Sequence, residues 1–316
     1  MIATTDNRYS LFGGVLRTSL ELPELHPVML GADENWTLTV HDDVPAPSTA
    51  FPWSADEELA GGISIRLERA PDGVSRLTYS DTGTFDISRD GTRIDWYRAP
   101  NANGDLARTD ILGRVISLAM QSSRVLMLHA SAVWMNGEVA GFLAPKFYGK
   151  STLACALTDA GARLVTDDAL GVRIGDTVAC APGVPAIRLR KGAAAYLRGS
   201  EKVESDSVDW RHLERRAAEE VLHQWATVGA LYVLNPRPPR EMTAPAIREP
   251  LSGTEGALAL VKFAKLGNLL RGMLAVEYLG MAAEIANRAS IYTLTYARDM
   301  ERLAEVAETV KGWHRG

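Results

Sequence analysis

The chain has 316 residues, 46% of them hydrophobic and 23% charged, with a formal net charge of −5. This is the composition of an ordinary globular protein, long enough for two domains. A net negative chain without a basic stripe excludes nucleic acid as the main expected partner, and no uninterrupted apolar run is long enough to span a bilayer. The start, MIATTDNRYS, has neither the basic patch nor the apolar core of a secretory signal. The two cysteines, Cys155 and Cys180, have no paired Cys/His ligand spacing around them. The expectation is a reduced, cytoplasmic protein without structural zinc.

In chain order, residues 1–108 read as a β-rich N-terminal domain. GGISIRLERA and GTFDISRDGTRIDWYRAP alternate apolar and polar residues, with an Asp-Gly turn at Asp90–Gly91. VPAPSTAFPWS (44–54) reads as a Pro-rich loop. No catalytic cluster lies in this half, which suits a packing or recognition module.

From residue 109 to 316 the period changes. Ile111, Leu112, Val115, Leu118 and Ala119 recur at helical spacing, and Asp110 is the expected N-cap. A strand, a short run and another strand follow, the latter two joined by a tight turn at Asn136–Gly137. Then come a strand (139–143), a loop, a helix (150–160), Gly161 and a strand (163–166) ending at Asp167–Asp168. Ligands of open α/β sheets sit off such carboxyl ends. Residues 199–224 are dense in charge and predict a solvated loop leading into a surface helix, or a lid. VGALYVLNPRPP reads as a buried strand. GTEGALALVKFAKLGNLLRGML and DMERLAEVAETVKGW read as amphipathic helices flanking a strand in ASIYTLTY.

GFLAPKFYGKSTLACAL (141–157) nearly spells G-x-x-x-x-G-K-[ST], the loop whose backbone amides cradle phosphate at a helix N-terminus. Ala144 replaces the first glycine, which a backbone with φ below zero tolerates. Phe147 and Tyr148 stand where small residues are usual. A non-glycine residue at positive φ costs about 1–2 kcal/mol there, and its side chain can point away from the amides. The expected nucleotide-binding residues are Ala144, Pro145, Lys146, Phe147, Tyr148, Gly149, Lys150, Ser151 and Thr152. Lys150 reaches the β- and γ-phosphates, and the Ser151 hydroxyl would ligate Mg²⁺, with one carboxylate of Asp167 and Asp168 able to help hold it. The expected cofactors are ATP and Mg²⁺.

The run LHASAVWMNGEVAGFLAPKFYGKSTLACALTDAGARLVTDDALGV, followed by APGVPAIRLRK, resembles the HPr kinase/phosphorylase catalytic domain. It is most similar to relatives found with peptide-maturation systems, such as the lasso-peptide precursor kinases. The two ends of the chain, YSLFGGVLRTSLELPEL and IYTLTYARDMERLAEVAETV, also look like that group's ends. The resemblance implies an α/β fold: an HPr kinase-like (phosphoenolpyruvate carboxykinase-like) P-loop domain after the β-rich one. It matches Asp167 and Asp168 to the family's acidic pair and favours Asp168 as base, although spacing alone does not separate the two. His129 matches the family's histidine on the strand before the loop; by itself it would read as a core residue. Arg188 and Arg190 alternate onto one face of an extended segment followed by Lys191, and Arg188 is the one expected to face charge on the transferred phosphoryl.

The implied activity is transfer of a phosphoryl group from ATP to a Ser or Thr hydroxyl of a peptide or small protein. Two rivals share these residues: a small-molecule kinase of a natural-product or amino-acid pathway, and a noncatalytic nucleotide- or peptide-binding relative. The partner is accordingly a peptide, small-protein or small-molecule phosphoacceptor, and a homo-oligomer is allowed.

Overall fold

The computed structural model describes residues 6–28, 34–45, 51–59, 61–198 and 211–315. The chain divides into two compact units. One comprises Met1–Met127 with Ala264–Met281, the other Leu128–Phe263 with Ala282–Gly316. This differs from a single cut at 108/109, because the helix expected to open the second domain bonds to the strands of the first unit.

In the first unit β1 (Asn7–Leu11), β2 (Gly14–Thr18), β3 (His26–Pro27), β4 (Trp36–His41), β5 (Trp53–Glu58), β6 (Ser64–Arg69), β7 (Ser75–Tyr79), β8 (Gly83–Ile87) and β9 (Arg93–Arg98) form one sheet. Its order is β3-β1-β2-β4-β9-β8-β7-β6-β5. Alternate residues such as Ile65, Leu67, Leu77, Phe85, Ile94 and Trp96 are buried, the period-two pattern of a sheet with one face on a core. The expected turn at Asp90–Gly91 joins β8 to β9. Much of the Pro-rich 44–54 segment lies outside the described residues, and its last two residues begin β5.

Helix α1 (Gly104–Asp110) runs through a π-helical turn (Ile111–Val115) into α2 (Ile116–Gln121). Asp110 is therefore not the N-cap. Asn103 is: its side chain accepts from the Asp105 and Leu106 amides, so the helix starts before its apolar period becomes visible. Asp110 instead accepts from Thr82 Oγ1 at 2.8 Å, and Arg114 pairs with Glu57 at 2.9 Å.

Desolvation, with Asp81 nearby, pushes the Asp110 carboxyl up to about 7, against the lowering effects of the Thr82 hydrogen bond and Arg114. The fold thus favours the protonated acid. The stability this contributes is present below about pH 4 and is lost as pH rises through about 7. Three pH units set a ceiling of about 4 kcal/mol, and partial solvent access lowers it. Asp110→Asn keeps an acceptor for Thr82 without the charge. Denaturant unfolding should show it more stable than the parent at pH 8 and equal at pH 4. An unchanged pH profile would show that Asp110 does not titrate in this window.

The chain crosses into the second unit at β10 (Leu126–Leu128). There β11 (Ala130–Met135) and β12 (Glu138–Leu143) form a hairpin across Asn136–Gly137, whose φ values of 51° and 94° are both positive. After β12 come α3 (Lys150–Asp159), β13 (Arg163–Thr166), β14 (Leu170–Ile174), β15 (Val178–Ala181), β16 (Ala186–Arg190) and α4 (Lys191–Arg198). Next are β17 (Arg211–Arg215), β18 (Ala226–Arg237), β19 (Ala246–Pro250), α5 (Gly253–Lys262), α6 (Gly272–Ala286), which belongs to the first unit as far as Met281, β20 (Ile291–Ala297) and α7 (Leu303–Gly312). The result is a mixed α/β architecture. No helix among the described residues is long and apolar enough to cross a membrane.

The sheet runs β14-β15-β18-β12-β11-β13, with β20 also beside β18 and β19 beside β20. Both β12 and β20 are parallel to β18. Because β11 is antiparallel to both β12 and β13, those two strands point the same way. The carboxyl ends of β12, β13, β18 and β20 therefore meet at one edge. One core joins the sheet to α3 and α7 through Phe142, Tyr232, Leu294, Leu153, Val306 and Val310.

Two expectations change here. The charge-dense segment forms no surface α-helix where it is described: residues 199–210 lie outside the described residues, 211–215 are β17, paired to β16 from Ala186↔Arg215 to Arg190↔Arg211, and Ala218–Glu220 make only a single 3-10 turn. Strand pairing and the Arg198–Glu214 ion pair at 2.7 Å outweigh local helix preference. The long GTEGALAL… stretch is two helices, α5 and α6, interrupted after Lys262.

Candidate functional site

The buried strand β12 delivers the chain to the loop 144–149. Ala144 is buried in the core under the loop and is not among the residues with positive φ, so its methyl group is accommodated. Phe147 (φ 75°) and Gly149 (φ 86°) are left-handed, whereas Tyr148 and Lys150 are not. Such alternation turns successive amides toward a common centre, the geometry of an anion-binding nest. Gly149 also N-caps α3, accepting from the Leu153 amide at 2.9 Å. A Cβ there would lie 2.6 Å from Tyr296 Oη, so glycine is required twice over.

The aromatic side chains leave the nest: Phe147 is 53% and Tyr148 40% exposed. The loop is held from β20 and the residues after it. Tyr296 donates to the Tyr148 carbonyl at 2.5 Å and Arg298 to the Phe147 carbonyl at 3.2 Å.

Lys150 is buried, and its ammonium donates to the carbonyls of Ala144 (2.8 Å) and Pro145 (3.2 Å). It also lies 3.2 Å from His129 Nε2. An ammonium can only donate, so Nε2 accepts and the ring proton sits on Nδ1. That nitrogen faces Asp168, 3.0 Å from Oδ1 and 3.3 Å from the backbone carbonyl. His129 is not on a strand as expected but in the bend between β10 and β11, with its amide bonded to the Phe263 carbonyl at 2.6 Å.

The two aspartates differ. Asp167 is buried: Oδ1 accepts from Ser131 Oγ and from Ser151 Oγ at 2.9 Å, while Oδ2 accepts from the Arg188 amide at 2.9 Å. Asp168 is only half-buried and holds φ 88°, a conformation that strains a residue with a Cβ and is tolerated best by Asp and Asn. Arg188 Nη1 lies 3.8 Å from Asp168 Oδ2. Arg188 is brought here by Pro182–Gly183, because Gly183 bonds to the Val165 carbonyl and packs so close to Thr166 that a Cβ would lie 2.2 Å from its Oγ1.

A cavity of about 640 Å³ opens at this edge. His129, Lys150, Ser151, Asp167, Asp168 and Arg188 all line it, as do Lys146, Phe147, Gly149 and Thr152. Ala144, Pro145 and Tyr148 do not; Ala144 lies beneath the loop. Ser131, Tyr296 and Arg298 carry no local signal that would place them at the site, and Arg190 carries a weak one. Ser131 sits in an apolar strand, and Tyr296 and Arg298 are 148 and 151 residues from their loop partners. Only Arg190 left a trace, in its alternation with Arg188.

No family model matches the chain, and no curated protein matches it. Among solved structures, a similar chain is the HPr(Ser) kinase/phosphatase from Coxiella burnetii, 13% identical, covering 60% of this chain and 88% of that one with a TM-score of 0.33. A likeness that slight carries no argument. The functional conclusion rests on the residues of the site.

Proposed function

We propose that this chain is a cytoplasmic, ATP- and Mg²⁺-dependent kinase that phosphorylates a hydroxyl group of a peptide or small protein. The observation that carries this is the convergence, on one cavity, of the loop with alternating φ, Lys150, and the Asp168–His129 pair. The cavity volume is within the range of small-molecule sites. The motif resemblance to kinases of peptide-maturation systems supports a peptide acceptor over a small molecule. The outward rings of Phe147 and Tyr148 support an open nest over a closed, noncatalytic one.

The residues fit magnesium. Ser151 Oγ and the Asp167 carboxylate lie side by side, and Asp168 follows directly. Among the described residues no group of three or more His, Cys, Asp or Glu could hold a metal, but magnesium beside phosphates needs only one or two protein carboxylates. When bound, it would neutralise charge on the phosphate oxygens.

The protein's own groups divide the rest. The loop amides, the α3 N-terminus and Lys150 bind the phosphates. His129 Nδ1–H holds Asp168 Oδ1 and orients the carboxylate, which takes the proton of the acceptor hydroxyl. Arg188 faces charge developing on the transferred group.

Calorimetry with ATP and Mg²⁺ tests the first step. Lys150→Ala should weaken binding by about 1.5–3 kcal/mol, the worth of a hydrogen bond to a charged group. Absence of binding by the unmutated protein would overturn the kinase reading.

A further inference from the structure

The mouth of the cavity carries a device that phosphate binding does not require. Arg190 lays its guanidinium over the Phe147 ring, 4.1 Å from the ring centroid. Phe147 is held there in a left-handed conformation, φ 75°, its carbonyl bonded to Arg298. Glycine would take that backbone without strain, so the ring at this position needs a reason of its own. A guanidinium stacked on an aromatic face keeps its donors in the plane, aimed sideways, and has little orientational freedom left to lose. This is a preorganised fork for a carboxylate.

Its distance from the chemistry is set by β16. Arg188 sits at Asp168, Leu189 is buried, and Arg190 is exposed. Two residues along a strand advance about 6.6 Å on the same face. An extended peptide has the same repeat, so a hydroxyl residue at Asp168 places the side chain two positions away beside Arg190. Lys146 and Lys191 line the same cavity, so the mouth is cationic in a chain whose net charge is −5.

From this geometry, and resting on the phosphotransfer reading above, we infer that the acceptor is a peptide carrying Asp or Glu two residues from the phosphorylated Ser or Thr, with Arg190 gripping the carboxylate. Arg190 is then a specificity residue and Phe147 a positioning residue for it. The aromatic in the loop serves the acceptor, not the nucleotide.

The test uses the full-length protein with MgATP and C-terminally amidated peptides, so that one side chain is the sole carboxylate. Each has a single Ser, with Glu or Gln at every offset from four residues before it to four after. A Glu two residues from Ser should raise kcat/KM roughly 10- to 100-fold over Gln, the worth of a charge-assisted bidentate contact. Arg190→Gln should bring that ratio to about one, and Arg190→Lys should restore only part of it. Phe147→Leu, which keeps the charge and loses the stack, should fall between. Arg190 is exposed, so its replacement leaves no buried group unpaired.

A ratio near one in the unmutated protein, or one that survives Arg190→Gln, overturns the inference. So does Arg190→Gln weakening MgATP binding while the Glu preference persists, which would assign Arg190 to the nucleotide. MgATP binding without phosphorylation of any peptide overturns the acceptor class alone. Failure to bind MgATP overturns the phosphotransfer reading itself.

Discussion

Asp168→Asn should fold like the parent chain, bind MgATP within a few-fold of it, and lose roughly 10²- to 10⁴-fold in turnover, the usual contribution of a general base. The substitution is chosen for its geometry. Asn tolerates the left-handed region nearly as well as Asp, so φ 88° is no obstacle. Its side-chain oxygen still accepts from His129 Nδ1, 3.0 Å away in the parent. What disappears is the capacity to take a proton. Turnover is read as ADP released in the presence of acceptor peptide, with calorimetry alongside. A near-normal rate would move the base elsewhere, and a matching collapse of MgATP affinity would assign Asp168 to binding instead.

Asp167→Ala should act mainly on the fold. Its carboxylate is the shared acceptor of three donors, Ser131 Oγ, Ser151 Oγ and the Arg188 amide, and Ser131 is fully buried. Removing the acceptor strands the buried Ser131 hydroxyl at about 1–3 kcal/mol, while Ser151 and the Arg188 amide border the cavity and add less. These donors come from β11, α3 and β16, so β16 and Ser151 lose their common anchor. Denaturant unfolding measures the loss. Ser131→Ala, which leaves Asp167 with two donors, should cost far less. Parent-like stability of Asp167→Ala would show that the network holds nothing together.

The contrast between the two aspartates was not legible in the sequence, where they are neighbours with the same side chain. Most of what surrounds them was. The loop, its helix, the strand at 163–166 and the hairpin at Asn136–Gly137 lie where local pattern placed them, because glycine conformation and apolar period act over a few residues. The same local logic failed where a polar cap preceded the apolar period and where distant partners decided the outcome. Asn103 began the helix assigned to Asp110, and that helix joined the first unit, not the second. β17 formed in place of a charged helix because β16 was there to pair with it.

By itself the sequence singled out the groups proposed here for phosphate, metal and proton: Lys150, Ser151, the loop amides and a carboxylate pair, all within 39 residues of His129. It also set the strand–loop–helix unit that presents them, since those preferences are local. The tertiary structure decided which aspartate is buried, which residues clamp the loop, and that Arg190 rests on Phe147. The first two follow from β11 running antiparallel to both β12 and β13, and from β18 and β20 lying parallel to β12; the third follows from β16, held to Asp167 through the Arg188 amide. Strand order joins residues up to 151 positions apart, and that choice is made by packing the whole sheet rather than by any one segment of it.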